Sequence, residues 1–366
     1  MAVYDVNGNQ LSTVYNRYGT ALQQVYDVYG NPLLSGGDND EFIKTILPYD
    51  TNYIINAAWL ANANTQRDAL IALFNQTDDG IPFFIQADGH GRKNEGNKGC
   101  HNLAEETMQY IRNIMLGDYS SYYSDGNNPA NHKRTSDGIA KYLSVMGNHE
   151  FLNNNSDEAL LADLPTLISS YTPTGATLGS AEYGYYKLLD DTYNVKYLVG
   201  QPYIPDENNS SGFITKYLSA QWEWFITELS ANDGYDIVVL NHQPYSGTYT
   251  RREAQTTKTY TSTNWNLTPI LEARKAKTNG SYTDADNNVH SYDFRNCTSD
   301  LLCVFHGHTH VEMYIEKTAH GYPVYIADVH DNDYKCCYGL IDRENGKIHF
   351  LKFGRSGAWE DLILDL

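Results

Sequence analysis

Leu301-Leu302-Cys303-Val304-Phe305-His306-Gly307-His308-Thr309-His310 decides how the rest of the chain is read. Five apolar residues in succession predict a strand covered on both faces, as in a sheet packed between other layers. The run stops at Gly307, and two histidines follow at alternate positions. On a straight strand His308 and His310 would share one face as ordinary surface groups, so the pair alone decides little. Its weight comes from recurrence upstream. Asp88-Gly89-His90 follows the apolar run 82–87, and Gly117-Asp118 follows 114–116. Gly147-Asn148-His149-Glu150 follows 142–146, and Asn241-His242-Gln243-Pro244 follows 237–240. In each case a short apolar strand delivers a polar, metal-competent residue to a turn.

Helical patterns separate these strands. Residues 65–75 begin with a capping-box-like Thr65 and Asp68 and carry Ala69, Leu70, Leu73 and Phe74 on one face. Residues 104–111 and 158–169 also read as helix, the latter interrupted at Pro165. Residues 213–229 read as one helix with Leu218, Trp222, Phe225 and Leu229 toward the core. The stretch 183–199 reads as a hairpin, and 322–328 and 347–353 as further strands. Strands alternating with helices predict an α/β architecture. In such sheets sites assemble at the carboxyl ends of strands, which is where all five motifs fall.

The residue types at those turns are two carboxylates, four imidazoles and one amide: Asp88, His90, Asp118, Asn148, His242, His308 and His310. Imidazole suits zinc or iron, and carboxylate or amide oxygen suits manganese. Seven ligands exceed one tetrahedral site but serve two if one is shared. Two divalent ions with two carboxylates remain net positive, which favours a phosphate group.

These motifs, in this order, resemble those of the calcineurin-like metallophosphoesterases, over about 88–310. The resemblance implies two mixed β-sheets in a sandwich flanked by helices. It implies two divalent or trivalent ions (Mn, Zn or Fe), one held by Asp88, His90 and His310 and the other by Asn148, His242 and His308. Asp118 would bridge them. It further implies hydrolysis of phosphomonoesters or phosphodiesters by a metal-bound hydroxide. His149 would serve the leaving group, and Glu150 would orient His149 or support it from behind. One departure is Ser121, where the family often carries a second Asp or Asn three residues after the bridging Asp. Arg92, His306 and His330 read as loop or packing residues.

The formal charge of −19 and the lack of a basic stripe argue against general nucleic-acid or anionic-membrane binding. Five cysteines, an odd number without ligand spacing, do not form a secreted disulfide framework. With no apparent signal peptide or membrane-span run, the expected location is the cytoplasm. The long polar segments 91–100, 119–134 and 246–263 read as loops around the site.

The first 35 residues have a different character. Val3-Tyr4-Asp5, Val14-Tyr15-Asn16 and Val25-Tyr26-Asp27 recur every eleven residues, each followed by a glycine and a return to an apolar residue. Each unit reads as strand, turn and strand, too small to bury a core alone. These units resemble tyrosine-aspartate repeats of bacterial surface or phage tail-associated proteins. Residues 1–35 thus read as a small β-rich arm for homo-oligomer or particle association, and 36–366 as the phosphoesterase-like domain. A second reading makes the chain a structural or assembly protein, carried on a phage tail or surface particle, with that domain as scaffold.

Overall fold

A computed structural model describes residues 57–89, 111–118, 142–151, 164–165, 167–169, 171–205, 213–262, 264–328 and 334–366, together with four two-residue strands near the start. The chain divides into two compact units, Met1–Pro48 and Tyr49–Leu366.

In the first unit, β1 (Val3–Tyr4) pairs antiparallel with β2 (Gln10–Leu11), and β3 (Val14–Tyr15) with β4 (Ala21–Leu22). Val3 pairs in register with Leu11 and Val14 with Leu22, so the second hairpin repeats the first at the eleven-residue period. The third repeat lies outside the described residues.

The second unit opens with α1 (Ala57–Phe74), then β5 (Gly80–Gln86), β6 (Arg112–Met115) and β7 (Tyr142–Ser144). Next come β8 (Thr177–Leu178), β9 (Tyr186–Asp190), β10 (Val195–Val199), β11 (Tyr203–Pro205) and β12 (Phe213–Thr215). Helix α2 (Ser219–Ser230) leads to β13 (Asp236–Leu240), β14 (Gly247–Arg251) and β15 (Thr257–Tyr260). Helix α3 (Thr268–Lys275) leads to β16 (Asn279–Thr283), β17 (Val289–Asp293), β18 (Leu301–His306) and β19 (Met313–Ile315). A short α4 (Lys317–His320), β20 (Val324–Ile326), β21 (Cys336–Asp342), β22 (Lys347–Phe353) and β23 (Leu362–Asp365) complete it.

Two mixed sheets result. One runs β23-β22-β21-β5-β6-β7, with β5, β6 and β7 parallel. The other runs β15-β14-β19-β20-β18-β13-β10-β9-β8, with β10, β13, β18 and β20 parallel. They pack face to face. Phe83 and Phe350 of the first sheet meet Phe305 of the second at ring separations of 5.3 and 6.0 Å, and Tyr325 stacks on Phe350 at 3.8 Å. On the outside of the first sheet, Trp59 of α1 meets Phe353 at 5.6 Å. On the outside of the second, Trp222 and Phe225 of α2 and Ile270 and Leu271 of α3 cover Ile237, Val239 and Val304. The α/β class and the two-sheet sandwich match the sequence expectation.

Three segments differ from it. The first helix begins at Ala57, not Thr65, because an alanine-rich turn precedes it. Thr65 is mid-helix and bonds the Ala61 carbonyl at 2.9 Å instead of capping. Residues 213–229 split: Phe213-Ile214-Thr215, aromatic and β-branched, pair with β11 as a strand, and the helix starts at Ser219. Within 246–263, residues read as loop form the hairpin β14–β15, which extends the second sheet to an exposed edge. The proposed helix at 104–111 falls almost wholly outside the described residues, and most of 158–169 does too.

Among the described residues, no helix is long and apolar enough to cross a membrane. Cys297, Cys303, Cys336 and Cys337 are buried.

Candidate metal centre

Five of the parallel strands, β5, β6, β7, β13 and β18, lead into turns whose residues form a polar cluster. Asp88 follows β5, Asp118 follows β6, and Asn148 follows β7. His242 follows β13, and His308 and His310 follow β18. One sheet therefore supplies the acids and the amide, and the other supplies the imidazoles.

Two groups of ligand atoms emerge. Asp118, His242 and His308 form one, and Asp88, Asp118 and His310 the other, with the atoms of each within 4.8 Å of one another. Asp118 belongs to both. Asn148 joins the first group, its Oδ1 standing 3.0 Å from His308 Nδ1 and 3.2 Å from His242 Nε2. His90, Arg92, Ser121 and His330 lie outside the described residues.

Around His242 the donor set fits a cation. Its Nδ1 lies against the Leu116 carbonyl, which makes that nitrogen the donor. Neutral Nε2 then presents a lone pair. Facing it at 3.2 Å are three further electron-rich atoms: Asp118 Oδ2, Asn148 Oδ1 and His308 Nδ1. His242 and Asp118 are almost fully buried. Converging lone pairs away from water are unfavourable unless a positive charge sits among them. Burial opposes charge on His242, but the Asp118 and Asp88 carboxylates outweigh it and lift the imidazole to about 9, so the position facing Nε2 favours a positive charge, whether a proton or a metal ion. Burial likewise opposes charge on Asp118, and His242 reverses this, holding its carboxyl well below the usual range. Asp88 goes the other way: burial dominates over His242, and the nearby Asp118 charge adds to the upward push. Burial and the neighbouring His242 lower His308 to about 3, so it offers a neutral ring.

The turns that hold these residues are strained. Asp88, Asp118, His308 and His310 all have positive φ, between 51° and 70°. Such non-glycine conformations cost of order 1–3 kcal/mol each and persist where the surroundings over-determine them. Here Asp88 accepts the His308 amide with both carboxylate oxygens, at 3.1 and 2.9 Å. The Gly307 amide donates to the His242 carbonyl at 3.0 Å. Asp118 Oδ1 accepts the His149 amide at 2.8 Å.

Glu150 explains its own motif. Its Oε2 accepts the Gly147 amide at 2.6 Å and the Asp118 amide at 3.0 Å, and the side chain is buried. The carboxylate thus clips the turn after β7 to the turn after β6. His149 is half-buried beside it. His306, read from the sequence as a loop or packing residue, is fully buried with Nδ1 3.1 Å from the Asn241 carbonyl, and burial lowers it to about 3.

Tyr203 escaped the sequence reading. It is buried with its ring 6.1 Å from that of His242 and 5.6 Å from that of Phe151. Burial, with Asp118, Glu150 and Asp88 nearby, raises its phenol far above the ordinary range, so it remains a donor. No motif marks it, because it reaches the site through the β11–β12 hairpin.

No family model matches the sequence, and no curated protein matches it. Among solved structures, a structure of PhoD is similar at 10% identity and a TM-score of 0.42, with 79% of this chain and 69% of that chain covered.

Proposed function

We propose that the chain is a phosphoesterase that works with two divalent or trivalent metal ions of the Mn, Zn or Fe type. The observation that carries this is Asp118, a buried carboxylate shared by two ligand groups at strand ends. When bound, the ions would supply Lewis acidity toward a phosphoryl oxygen and an activated water. Asp88 and His310 would hold one ion and Asn148, His242 and His308 the other, with Asp118 between them. By the family resemblance, His90 would join the first. Its substrate would be a phosphomonoester or phosphodiester.

The chain's own groups would do the rest. His149 starts beside the bridging carboxylate, since its amide is pinned to Asp118 Oδ1. From there its ring would give a proton to the leaving-group oxygen. Glu150 is a positioning residue in this scheme, acting on the backbone of the two turns. The test is turnover of nitrophenyl phosphate mono- and diesters with added Mn²⁺ or Zn²⁺. Asp118→Asn should abolish metal-dependent turnover, and His149→Ala should lower it by about 10²–10⁴-fold. A folded protein that hydrolyses neither ester with any of these ions overturns the proposal.

A role for residues 1–35 in association is proposed separately. The two hairpins at an eleven-residue period motivate it, since units so small gain stability by stacking. Deleting 1–35 should change the oligomeric state seen by light scattering. An unchanged state would remove its basis.

A further inference from the structure

The turn carrying His308 and His310 is held on its near side by Asp88, as described. On its far side the chain passes Val311, reaches Glu312, and enters β19 at Met313. Glu312 is buried at 1% exposure although it carries a carboxylate. Its Oε1 accepts from Arg252 Nη1 and from the Tyr325 hydroxyl, both at 2.8 Å. Its Oε2 lies 2.9 Å from Lys352 Nζ. Its main-chain carbonyl accepts the Arg252 amide at 3.2 Å. The partners come from β22, β20 and the turn after β14.

Lys352 is itself enclosed. Besides Glu312 its ammonium meets Glu253 at 2.7 Å and Asp328 at 3.1 Å, and it stands 4.4 Å over the Trp359 ring. Burial works against its charge, but the Glu312 and Asp328 carboxylates outweigh burial and hold the lysine above its ordinary range. The ion cluster is therefore fixed in charge and in place, and it belongs to neither metal-ligand group.

His308 has its own support: its amide is held by Asp88 and its ring lies among His242 and Asn148. His310 lies nearer the exit of the turn and is the more exposed of the two: its side chain is 47% exposed, with Nε2 3.7 Å from Asp88 Oδ1. Its backbone is left-handed at φ 55°. We propose that Glu312 is a positioning residue for His310: anchored by Arg252, Tyr325 and Lys352, it fixes the exit of the strained turn and so aims the imidazole at the Asp88–Asp118 group. This rests on the dinuclear reading above and assigns the residue that makes one of its two groups. An interior carboxylate serving only to neutralise Lys352 would do nothing selective to the turn.

Two variants separate these roles in the full-length protein. Glu312→Gln keeps the shape and one acceptor oxygen but removes the charge facing Lys352. Tyr325→Phe removes one donor and keeps the ring on Phe350. In metal-free protein, amide exchange over 307–311 should quicken in both variants, more in Glu312→Gln, while the central strands keep wild-type protection. Calorimetric titration with Zn²⁺ or Mn²⁺ should then show two steps in the wild type. One step should weaken about 10–100-fold in Glu312→Gln, the range expected when a ligand's support is lost, and the other should stay unchanged. His310→Ala should abolish that same step. Unaltered exchange in the turn, equal weakening of both steps, or weakening of the step that survives in His310→Ala would each overturn the proposal. A wild type without two steps would overturn the dinuclear reading, while the exchange result still judges the positioning role.

Discussion

Gly147 has φ −98° and ψ −177°, a backbone that any residue adopts, and yet no side chain fits there. A Cβ would stand 2.2 Å from Asp118 Oδ1 and 2.5 Å from the Asp118 amide. The glycine exists so that the turns after β6 and β7 can touch. Gly147→Ala should therefore push Asp118 out of both ligand groups and remove metal binding, measured by metal content after dialysis, with far-ultraviolet circular dichroism unchanged. Glu150→Gln acts on the same contact from the other side. One carboxylate oxygen serves two buried amides, and bonds to a charged acceptor contribute about 1.5–3 kcal/mol. Denaturant unfolding of that variant should show a loss of this size. In the sequence, the glycine and the acid were visible only as parts of a motif. Their physical task, joining two backbones separated by some thirty residues, exists only once the chain has folded.

The β16–β17 hairpin shows how an element outside the site is tied down. His290 of β17 is buried, with Nε2 2.9 Å from Asp284 Oδ2 and Nδ1 2.5 Å from Glu223 Oε1 of α2. Burial opposes charge on His290, but the bonds to Asp284 and Glu223 win and raise it above 6.5. Its stabilising contribution is thus fully present below pH 6.5 and is lost as pH rises through the raised value. Burial works against Asp284 too, but His290 and Asn288 hold it below 3.8. Its contribution is present above pH 3.8 and is lost as pH falls through the lowered value. The hairpin should be best anchored between those ordinary values. The thermal midpoint should fall as pH rises past 6.5, and His290→Gln should flatten that part of the profile. Elements such as this hairpin were hard to read because their strands are polar on both faces. The same holds for β14–β15, read as loop because GTYTR and TKTY lack an apolar stripe. By contrast β13 and β18 were plain in the sequence, each a short apolar run ending in a polar turn. β21 was missed because Gly339 interrupts its pattern. That glycine sits where a Cβ would fall 2.1 Å from Phe83 Cζ, so the strand gives up a side chain to admit a neighbour's ring.

The sandwich as a whole depends on the layer between its sheets. Phe305 is central to it, meeting Phe83, Tyr325 and Phe350. Phe305→Ala should cost about 3–5 kcal/mol, measured by chemical denaturation, because that tightly packed layer has little room to collapse. If the proposed function holds, bound metal ions should contribute in the same direction. At a free concentration one hundred times its dissociation constant, a bound ion adds about 2.7 kcal/mol. Chelation should therefore lower the thermal midpoint, and Mn²⁺ or Zn²⁺ should restore it. The general plan, alternating strands and helices with a site at the strand ends, was legible from five apolar runs. The division of strands between two sheets was not, since a one-dimensional pattern does not say which runs pair. That division has a mechanical meaning. Asp88, Asp118 and Asn148 ride on one sheet, and His242, His308 and His310 on the other. Any sliding or splaying of the two layers changes the ligand separations before it breaks a hydrogen bond within either sheet. The centre is in effect a strain gauge across the sandwich, and a substitution deep between the layers would be felt first as a change in metal affinity.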